Sequence, residues 1–312
     1  MSQPTPVIID CDPGIDDAVA LLLALASPEV ELVGITTVAG NTSVDNTTAN
    51  ALRLLDLVGR SDVPVHAGAD RPLVHVASED ASEFHGETGL GDCSLPPPSR
   101  PAGSAHAIDF IARSVMESSR PITLIAVGPL TNVALLVARY PEVVDRLGDV
   151  VVMGGAHGEG NVTPAAEFNI WVDPEAAQRV VDSGLSPTFV GLDVTHQANI
   201  GPDDVAQIGA MGRCGAALAQ MLATYERAQQ KYYGSSDLSM HDSLAVGHVI
   251  DPSLLTRQHV HVAVDTGSSI SRGATLVDRW GFGGAQPNAH WAQSVASAAF
   301  HKLLMTRLAL LP

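Results

Sequence analysis

The sequence predicts one α/β domain spanning residues 1–312, with an open, mainly parallel sheet flanked by helices in a Rossmann-like arrangement. Short apolar runs typical of buried strands alternate along the chain with segments whose apolar residues recur at helical spacing. That alternation favours a parallel sheet with right-handed crossovers. No repeat, low-complexity linker or shift in composition marks a second domain, and 46% apolar residues suffice for a large core.

The first strand and helix organise the rest of the chain. Val7–Ile9 is an apolar run that predicts a buried strand, and Pro13 with Gly14 predicts a turn soon after it. Ala18–Ala26 is apolar on every side, which predicts a helix packed deep against the sheet. The end of the strand, the turn and the start of the helix carry four acids: Asp10, Asp12, Asp16 and Asp17. Open α/β sheets bind their ligands at this edge.

These four acids have two interpretations. One is that Asp10 and Asp17 only cap the turn and the helix, as aspartate often does. The other is a functional cluster, because four carboxylates in eight residues beside a core strand are costly unless a cation or a hydroxyl-rich ligand gathers them. We favour the functional cluster, since one capping residue does not account for four acids.

The remaining elements follow the same alternation. Further strands are predicted at Val30–Val38, Val63–His66, Ile122–Val127, Asp149–Met153, Pro187–Val194, His259–Val264 and Thr275–Asp278. Further helices are predicted at Val44–Val58, Ile108–Met116, from near Thr131, from Pro174, and at Ala216–Tyr233, Met240–Ile250 and His290–Leu308.

Polar groups follow several of these elements. Asn41 comes soon after the second strand. At such a position asparagine either binds a ligand or only stabilises a turn, and the residue alone does not favour one role over the other. Val127 ends a later strand, so its main-chain oxygen is expected at the same edge of the sheet as Asp12. His241 and Asp242 lie at the start of an apolar helix. The alternative to a functional pair is that Asp242 only interacts favourably with the helix dipole and that His241 only caps or packs the helix start.

Two long loops interrupt the pattern, from about Ala69 to Gly103 and from Ala156 to Ala177. Loops of this length inside a compact domain are more often functional than idle. His85 lies in a glycine-rich part of the first loop, which predicts a flexible flap whose histidine reaches a ligand. The alternative is a surface histidine without a binding role. The second loop carries the carboxylate of Glu167 and the amides of Asn161 and Asn169, which are groups that bind sugar hydroxyls. The alternative is a polar surface loop with no binding role.

Charge and cysteine content exclude several classes of partner. The 17 basic and 34 acidic residues give a formal net charge of −17, which argues against nucleic-acid polymers and anionic membranes. Three scattered cysteines, Cys11, Cys93 and Cys214, form no disulfide framework or zinc pattern and fit a reducing compartment. No signal peptide or membrane span is evident in the sequence, so we expect a cytoplasmic protein.

The segment DCDPGIDDAVAL resembles the N-terminal signature of the nucleoside hydrolases, the inosine–uridine-preferring N-ribohydrolase family. The His241–Asp242 pair resembles the second signature of that family, and the loop from Ala156 to Ala177 resembles its ribose-binding segment. The resemblance implies hydrolysis of the N-glycosidic bond of purine or pyrimidine ribonucleosides to free base and ribose, in nucleoside salvage or catabolism. It also implies a homodimer or homotetramer.

The expected site contains oxygen donors, which favour calcium or magnesium over soft transition metals. A mixed set of carboxylates and one carbonyl suits Ca²⁺, the ion that the resemblance also implies. The expected metal ligands are Asp12, Asp17, the Val127 carbonyl and Asp242. By resemblance, the ribose hydroxyls are bound by Asp16, Asn41, Asn161, Glu167, Asn169 and Asp242, and His85 lies on a flap over the base.

In the expected mechanism a metal-bound water attacks the sugar after Asp12 accepts its proton. The acidic pocket stabilises the positive charge that develops on the ribose ring. His241, or His85 in its place, protonates or orients the departing base.

Parts of the sequence also suit two other functions. A DxD motif after an N-terminal strand also occurs in magnesium-dependent phosphatases with an aspartyl nucleophile. Here the motif continues with Pro13-Gly14 instead of small hydroxyl residues, and the only lysines are Lys231 and Lys302. A non-catalytic riboside-binding module is the second alternative. The complete set of acids with His241 argues against a decayed site.

Overall fold

The computed structural model describes residues 3–74, 81–267 and 270–312; part of the first predicted long loop, residues 75–80, lies outside the described residues. The strands are β1 Thr5–Cys11, β2 Val30–Thr37, β3 Val65–Ala67, β4 Thr123–Ala126, β5 Val150–Met153, β6 Thr188–Val190, β7 Asn199–Ile200, β8 Leu238–Ser239, β9 Leu255–Val264, β10 Thr275–Asp278 and β11 Ala289–Val295.

The helices lie between these strands in the predicted alternation. They are α1 Ile15–Leu25, α2 Val44–Val58, α3 Ser82–His85, α4 Ala107–Glu117, α5 Thr131–Arg139, α6 Phe168–Val172, α7 Pro174–Val181, α8 Leu192–Thr195, α9 Pro202–Gly209, α10 Gly212–Tyr233, α11 His241–Ile250 and α12 Ser297–Leu308. None of the helices in the described ranges is both long and apolar enough to cross a membrane.

A nine-stranded sheet forms the centre of the described structure, in the order β10-β9-β11-β6-β5-β4-β1-β2-β3. All neighbouring pairs are parallel except those that β9 makes with β10 and β11. The predicted fold class is therefore confirmed. That residues 1–312 act as one domain stays a prediction.

Both faces of the sheet are covered by apolar layers. Alternate residues of β1 point in opposite directions: Val7 and Ile9 pack with α1, whereas Ile8 packs with residues of α4 and α5. Every residue of α1 from Ile15 to Ala24 is buried, including Asp16 and Asp17, whereas the sequence predicted deep packing only for the apolar part from Ala18. Such burial on all sides holds the start of α1 rigidly against the carboxyl end of β1.

Two predicted elements are wrong in part. The predicted strand Pro187–Val194 stops at Val190, because Gly191 packs against the backbone of Gly155 and the chain turns there into α8. The predicted final helix from His290 is wrong up to Val295. Those residues form β11, and Trp291 is buried against the ring of Phe189. Tertiary packing decides both segments.

The first helix begins earlier than expected. The sequence predicted it from Ala18, but α1 starts at Ile15, so Asp16 and Asp17 belong to its first turn. A helix start has free backbone N–H groups and a positive dipole end, both of which favour carboxylates. Two short helices, α3 and α6, also lie within the predicted long loops.

Candidate active site

A cavity of about 370 Å³ lies at the carboxyl ends of the parallel strands, a size suited to a small molecule. The loops after β1, β2, β4 and β5 meet there because these strands are neighbours in the sheet. Nine predicted site residues line the cavity: Asp16, Asn41, His85, Val127, Asn161, Glu167, Asn169, His241 and Asp242. Asp12 and Asp17 lie directly behind them, bonded to Asn41.

Asp12 is held between two tight loops. Its Oδ2 accepts the backbone N–H of Asn41 at 2.7 Å, while its Oδ1 is buried without a protein partner. Gly40 and Gly128 flank the carboxylate, and a side chain at either glycine would collide with it. The backbone therefore approaches Asp12 more closely than other residue types allow, which fixes the position of its unpaired oxygen.

Asp17 is fixed by donors from the turn that precedes α1. Its two oxygens accept the backbone N–H groups of Asp12 at 3.1 Å and Gly14 at 2.9 Å, and the Nδ2 of Asn41 at 3.1 Å. The carboxyl of Asp242 lies close enough to influence the pKa of Asp17.

Asp16 connects α1 to α11. Its Oδ2 accepts the backbone N–H of Asp242 at 3.0 Å, and the backbone N–H of His241 also bonds this carboxylate. Its Oδ1 is buried without a protein partner, although Asp16 lines the cavity. Asp16 therefore offers an acceptor to a ligand.

The acidic cluster strongly resists ionisation. Asp12, Asp16, Asp17 and Asp242 are each at most 6% exposed, and none forms an ion pair with a described lysine or arginine. Burial raises the pKa of Asp16 to about 8 and that of Asp17 to about 6, and it raises the pKa values of Asp12 and Asp242 well above the usual range. Repulsion within the cluster adds to these shifts.

The donors suit a hard divalent cation. A cation would supply the positive charge that this cluster lacks and would allow its carboxylates to ionise. Asp12 Oδ1 is a free oxygen for it. Within the described ranges, however, no group of three His, Cys, Asp or Glu side chains is placed to hold a metal ion. A cation bound through Asp12, Asp17 and Asp242 would therefore have to draw these carboxylates closer together, and the Val127 carbonyl or oxygens of a ligand would complete its coordination.

The second predicted loop places its polar groups through the start of α6. Glu167 accepts the N–H groups of Asn169 at 2.9 Å, Ile170 at 3.2 Å and Gly155 at 2.9 Å, so it caps the helix. Asn169 Nδ2 donates to the carbonyl oxygen of Val127 at 2.8 Å. That oxygen keeps a second lone pair. Val127 and Asn169 are therefore joined at the wall of the cavity.

Asn161 lies further out in the same loop. Its Oδ1 accepts the backbone N–H of Phe168 at 2.9 Å, and the residue lines the cavity. Asp193 holds the loop nearby, because its carboxylate accepts the N–H groups of His157 at 3.0 Å and Gly158 at 3.1 Å.

His85 closes one side of the cavity. Its Nδ1 accepts the backbone N–H of Ile15 at 3.0 Å, which caps the start of α1. Its ring lies 6.2 Å from the ring of Tyr225, and the adjacent Phe84 stacks on Tyr232 at 5.2 Å. Burial lowers the pKa of His85 to about 4, so its imidazole is neutral at pH 7. The ring thus serves as an acceptor toward the backbone of α1.

His241 faces the cavity from the first turn of α11. Its Nδ1 lies 2.7 Å from the hydroxyl oxygen of Thr195, and its ring meets the ring of His196 edge-on at 5.6 Å. Burial lowers its pKa to about 3, with smaller contributions from His196 and His85, so this imidazole is also neutral at pH 7.

Several lining residues were not identified singly from the sequence. Tyr225, Gln229 and Tyr233 follow helical spacing and present one face of α10 to the cavity. That spacing was the available signal, although the sequence indicated only the helix as a whole. His196, Asn199 and Ser239 were not predicted as site residues: β7 and β8 bring Asn199 and Ser239 together, and His196 lies just before β7.

The chain is similar to known proteins over nearly its whole length. Residues 7–302 match the family described as inosine-uridine preferring nucleoside hydrolase. The pyrimidine-specific ribonucleoside hydrolase RihA of Shewanella sp. (strain MR-7) is 43% identical over 308 residues, covering 97% of this chain and 96% of RihA.

Two solved structures share the fold along their whole length. A plant nucleoside hydrolase superposes with a TM-score of 0.93 at 34% identity, covering 98% of this chain and 99% of that chain. A purine-preferring ribonucleoside hydrolase from Gardnerella vaginalis superposes with a TM-score of 0.92 at 33% identity, covering 98% of both chains. This chain belongs to the inosine-uridine preferring nucleoside hydrolase family.

Proposed function

We propose that this enzyme hydrolyses the N-glycosidic bond of ribonucleosides to free base and ribose, with Ca²⁺ as its cofactor. The observation that carries the proposal is the acidic cluster, four buried carboxylates without a cationic partner among the described residues, at a cavity that Glu167, Asn161 and Asn169 also line. We also propose a role in nucleoside salvage or catabolism, in the cytoplasm, as a homodimer or homotetramer.

Asp12, Asp17, Asp242 and the Val127 carbonyl would hold the cation. When bound, Ca²⁺ supplies Lewis acidity that lowers the pKa of a water molecule, and positive charge that allows the carboxylates to ionise. Asp12 accepts the proton of the attacking water, because its Oδ1 has no other partner and Asn41 holds its Oδ2.

The ribose is held by the polar side chains that line the cavity: Asp16, Asn41, Asn161, Glu167, Asn169 and Asp242. Loss of the base builds positive charge on the sugar ring. The buried acids stabilise that charge electrostatically. Asp16 Oδ1 is positioned for a hydroxyl, since it is buried and lacks a protein donor.

The leaving base acquires its proton or hydrogen bond from His241. The imidazole is neutral, so it keeps its one ring N–H and offers that group as a hydrogen-bond donor to the base. His85 uses Nδ1 to accept the N–H of Ile15, which leaves its other ring nitrogen for the base.

Product analysis tests this function directly. The metal-loaded protein is incubated with uridine and with inosine, and free base and ribose are measured by chromatography and a reducing-sugar assay. We expect both products in equal amounts. We also expect faster cleavage of uridine, because relatives at 43% identity are named pyrimidine-specific. Binding of both nucleosides without products would instead favour a riboside-binding module.

His241→Ala is expected to lower kcat for uridine by about 10²- to 10³-fold, as when one hydrogen-bond donor to a developing anion is removed. Activity on p-nitrophenyl riboside should largely remain, because a nitrophenolate departs without protonation. Steady-state kinetics with both substrates gives the ratio of the two losses.

The matched control is His196→Ala, which removes the neighbouring imidazole from the same cavity wall. It should affect the two substrates by similar factors. A similar loss on both substrates in a folded His241→Ala protein would show that His241 does not assist departure of the base.

A further inference from the structure

Thr195 is the hydrogen-bond partner of the His241 ring. Thr195 ends α8 and is completely buried, and its Oγ1 lies 2.7 Å from Nδ1 of His241 at the start of α11. The two residues are 46 positions apart in the chain. Thr195 does not line the cavity, so it acts on a ligand only through the imidazole.

The direction of this hydrogen bond follows from what each group needs. A hydroxyl group carries one proton, and a buried donor without an acceptor is unfavourable. Within the described residues, the Thr195 hydroxyl bonds only to His241 Nδ1. The arrangement that satisfies both groups has Thr195 donating and Nδ1 accepting. A neutral imidazole then carries its own proton on Nε2.

We propose that Thr195 is a positioning residue that fixes the Nε2–H tautomer of His241 and thereby presents a hydrogen-bond donor to the departing base. The inference rests on the proposed function, in which His241 serves the leaving group. The opposite tautomer would direct a lone pair at the base and leave the Thr195 proton buried without an acceptor. The hydroxyl also fixes the angle of the ring.

Two substitutions separate the hydroxyl from the volume of the side chain. Thr195→Val replaces the hydroxyl with a methyl group at nearly constant size, whereas Thr195→Ser keeps the hydroxyl. For Thr195→Val we expect kcat for uridine to fall roughly 10- to 100-fold, as when the partner that orients a functional imidazole is lost. KM and the rate on p-nitrophenyl riboside should change little. Thr195→Ser should keep most of the wild-type rate.

Long-range ¹H–¹⁵N correlation spectra report the tautomer without reference to activity. The protein is labelled with ¹⁵N in its histidine rings. The signals of His241 are identified as those that disappear from the spectrum of the His241→Ala variant. We expect a protonated Nε2 and an unprotonated Nδ1 in the wild type and in Thr195→Ser. In Thr195→Val the Nδ1–H form should appear.

Three results would overturn the proposal: a wild-type ring protonated on Nδ1, an unchanged tautomer in Thr195→Val, or equal losses on both substrates in that variant. Should the wild type cleave no nucleoside, the proposed function fails and the catalytic part of the proposal fails with it. The spectra would still decide whether Thr195 sets the tautomer.

Discussion

Removal of the 2′-hydroxyl group from the substrate is expected to lower kcat/KM by about 10⁴- to 10⁵-fold, so that 2′-deoxyuridine is a very poor substrate beside uridine. In a site built to hydrogen-bond a hydroxyl group, kcat/KM falls by this factor when the hydroxyl is missing, because the buried polar groups of the protein are then left without a hydrogen-bond partner. Asp16 is the clearest such group, because its Oδ1 is buried without a protein donor. Asn41 lies beside it in the cavity wall.

Initial rates over a range of substrate concentrations give kcat/KM for each compound. Thymidine and its ribose counterpart, 5-methyluridine, form a second pair that differs only at the 2′ position. The ratio should be similar in both pairs, since the base is unchanged within each. Equal kcat/KM for uridine and deoxyuridine would contradict the assignment of Asp16 and Asn41 to the ribose.

Asp12→Asn is expected to lower kcat for uridine by at least about 10²- to 10⁴-fold, the range for loss of a general base. The amide is nearly the same size and keeps an oxygen for the backbone N–H of Asn41. It takes up no proton from water and coordinates a cation less strongly than a carboxylate.

The matched control for this change is Asp10→Asn. Asp10 is a second buried carboxylate of the same motif, but it bonds Thr36 and Asn132 and does not line the cavity. We expect that variant to keep most of its activity if it folds, which circular dichroism and thermal unfolding report. Near-normal turnover by a folded Asp12→Asn protein would show that another group accepts the proton.

The strand-turn-helix unit around Asp12 was predictable because its signals are local. An apolar run, a proline-glycine turn and an apolar helix follow one another within about twenty residues. Their arrangement in a parallel sheet then placed Asn41 and Val127 at the same edge, since the carboxyl ends of adjacent parallel strands lie side by side.

Other features depend on contacts between distant segments. Residues 290–295 carry apolar side chains that suit a helix or a strand, and only pairing with β6 and β9 selects the strand. Gly191 ends β6 because a second backbone segment lies against it. The bond between Thr195 and His241 joins two helices through one hydroxyl group, for which the sequence holds no periodic signal.

Calcium titration of metal-free protein combines cation binding and catalysis in one measurement. The protein is stripped with a chelator, and uridine hydrolysis is followed as Ca²⁺ is added in steps, with the bound metal measured by elemental analysis. We expect no turnover at the start, a rate that rises in proportion to bound Ca²⁺, and saturation at about one ion per chain. Asp17→Asn should bind Ca²⁺ weakly and recover little activity. Full activity in protein shown to be free of metal would contradict the assignment of the buried carboxylates to a cation site.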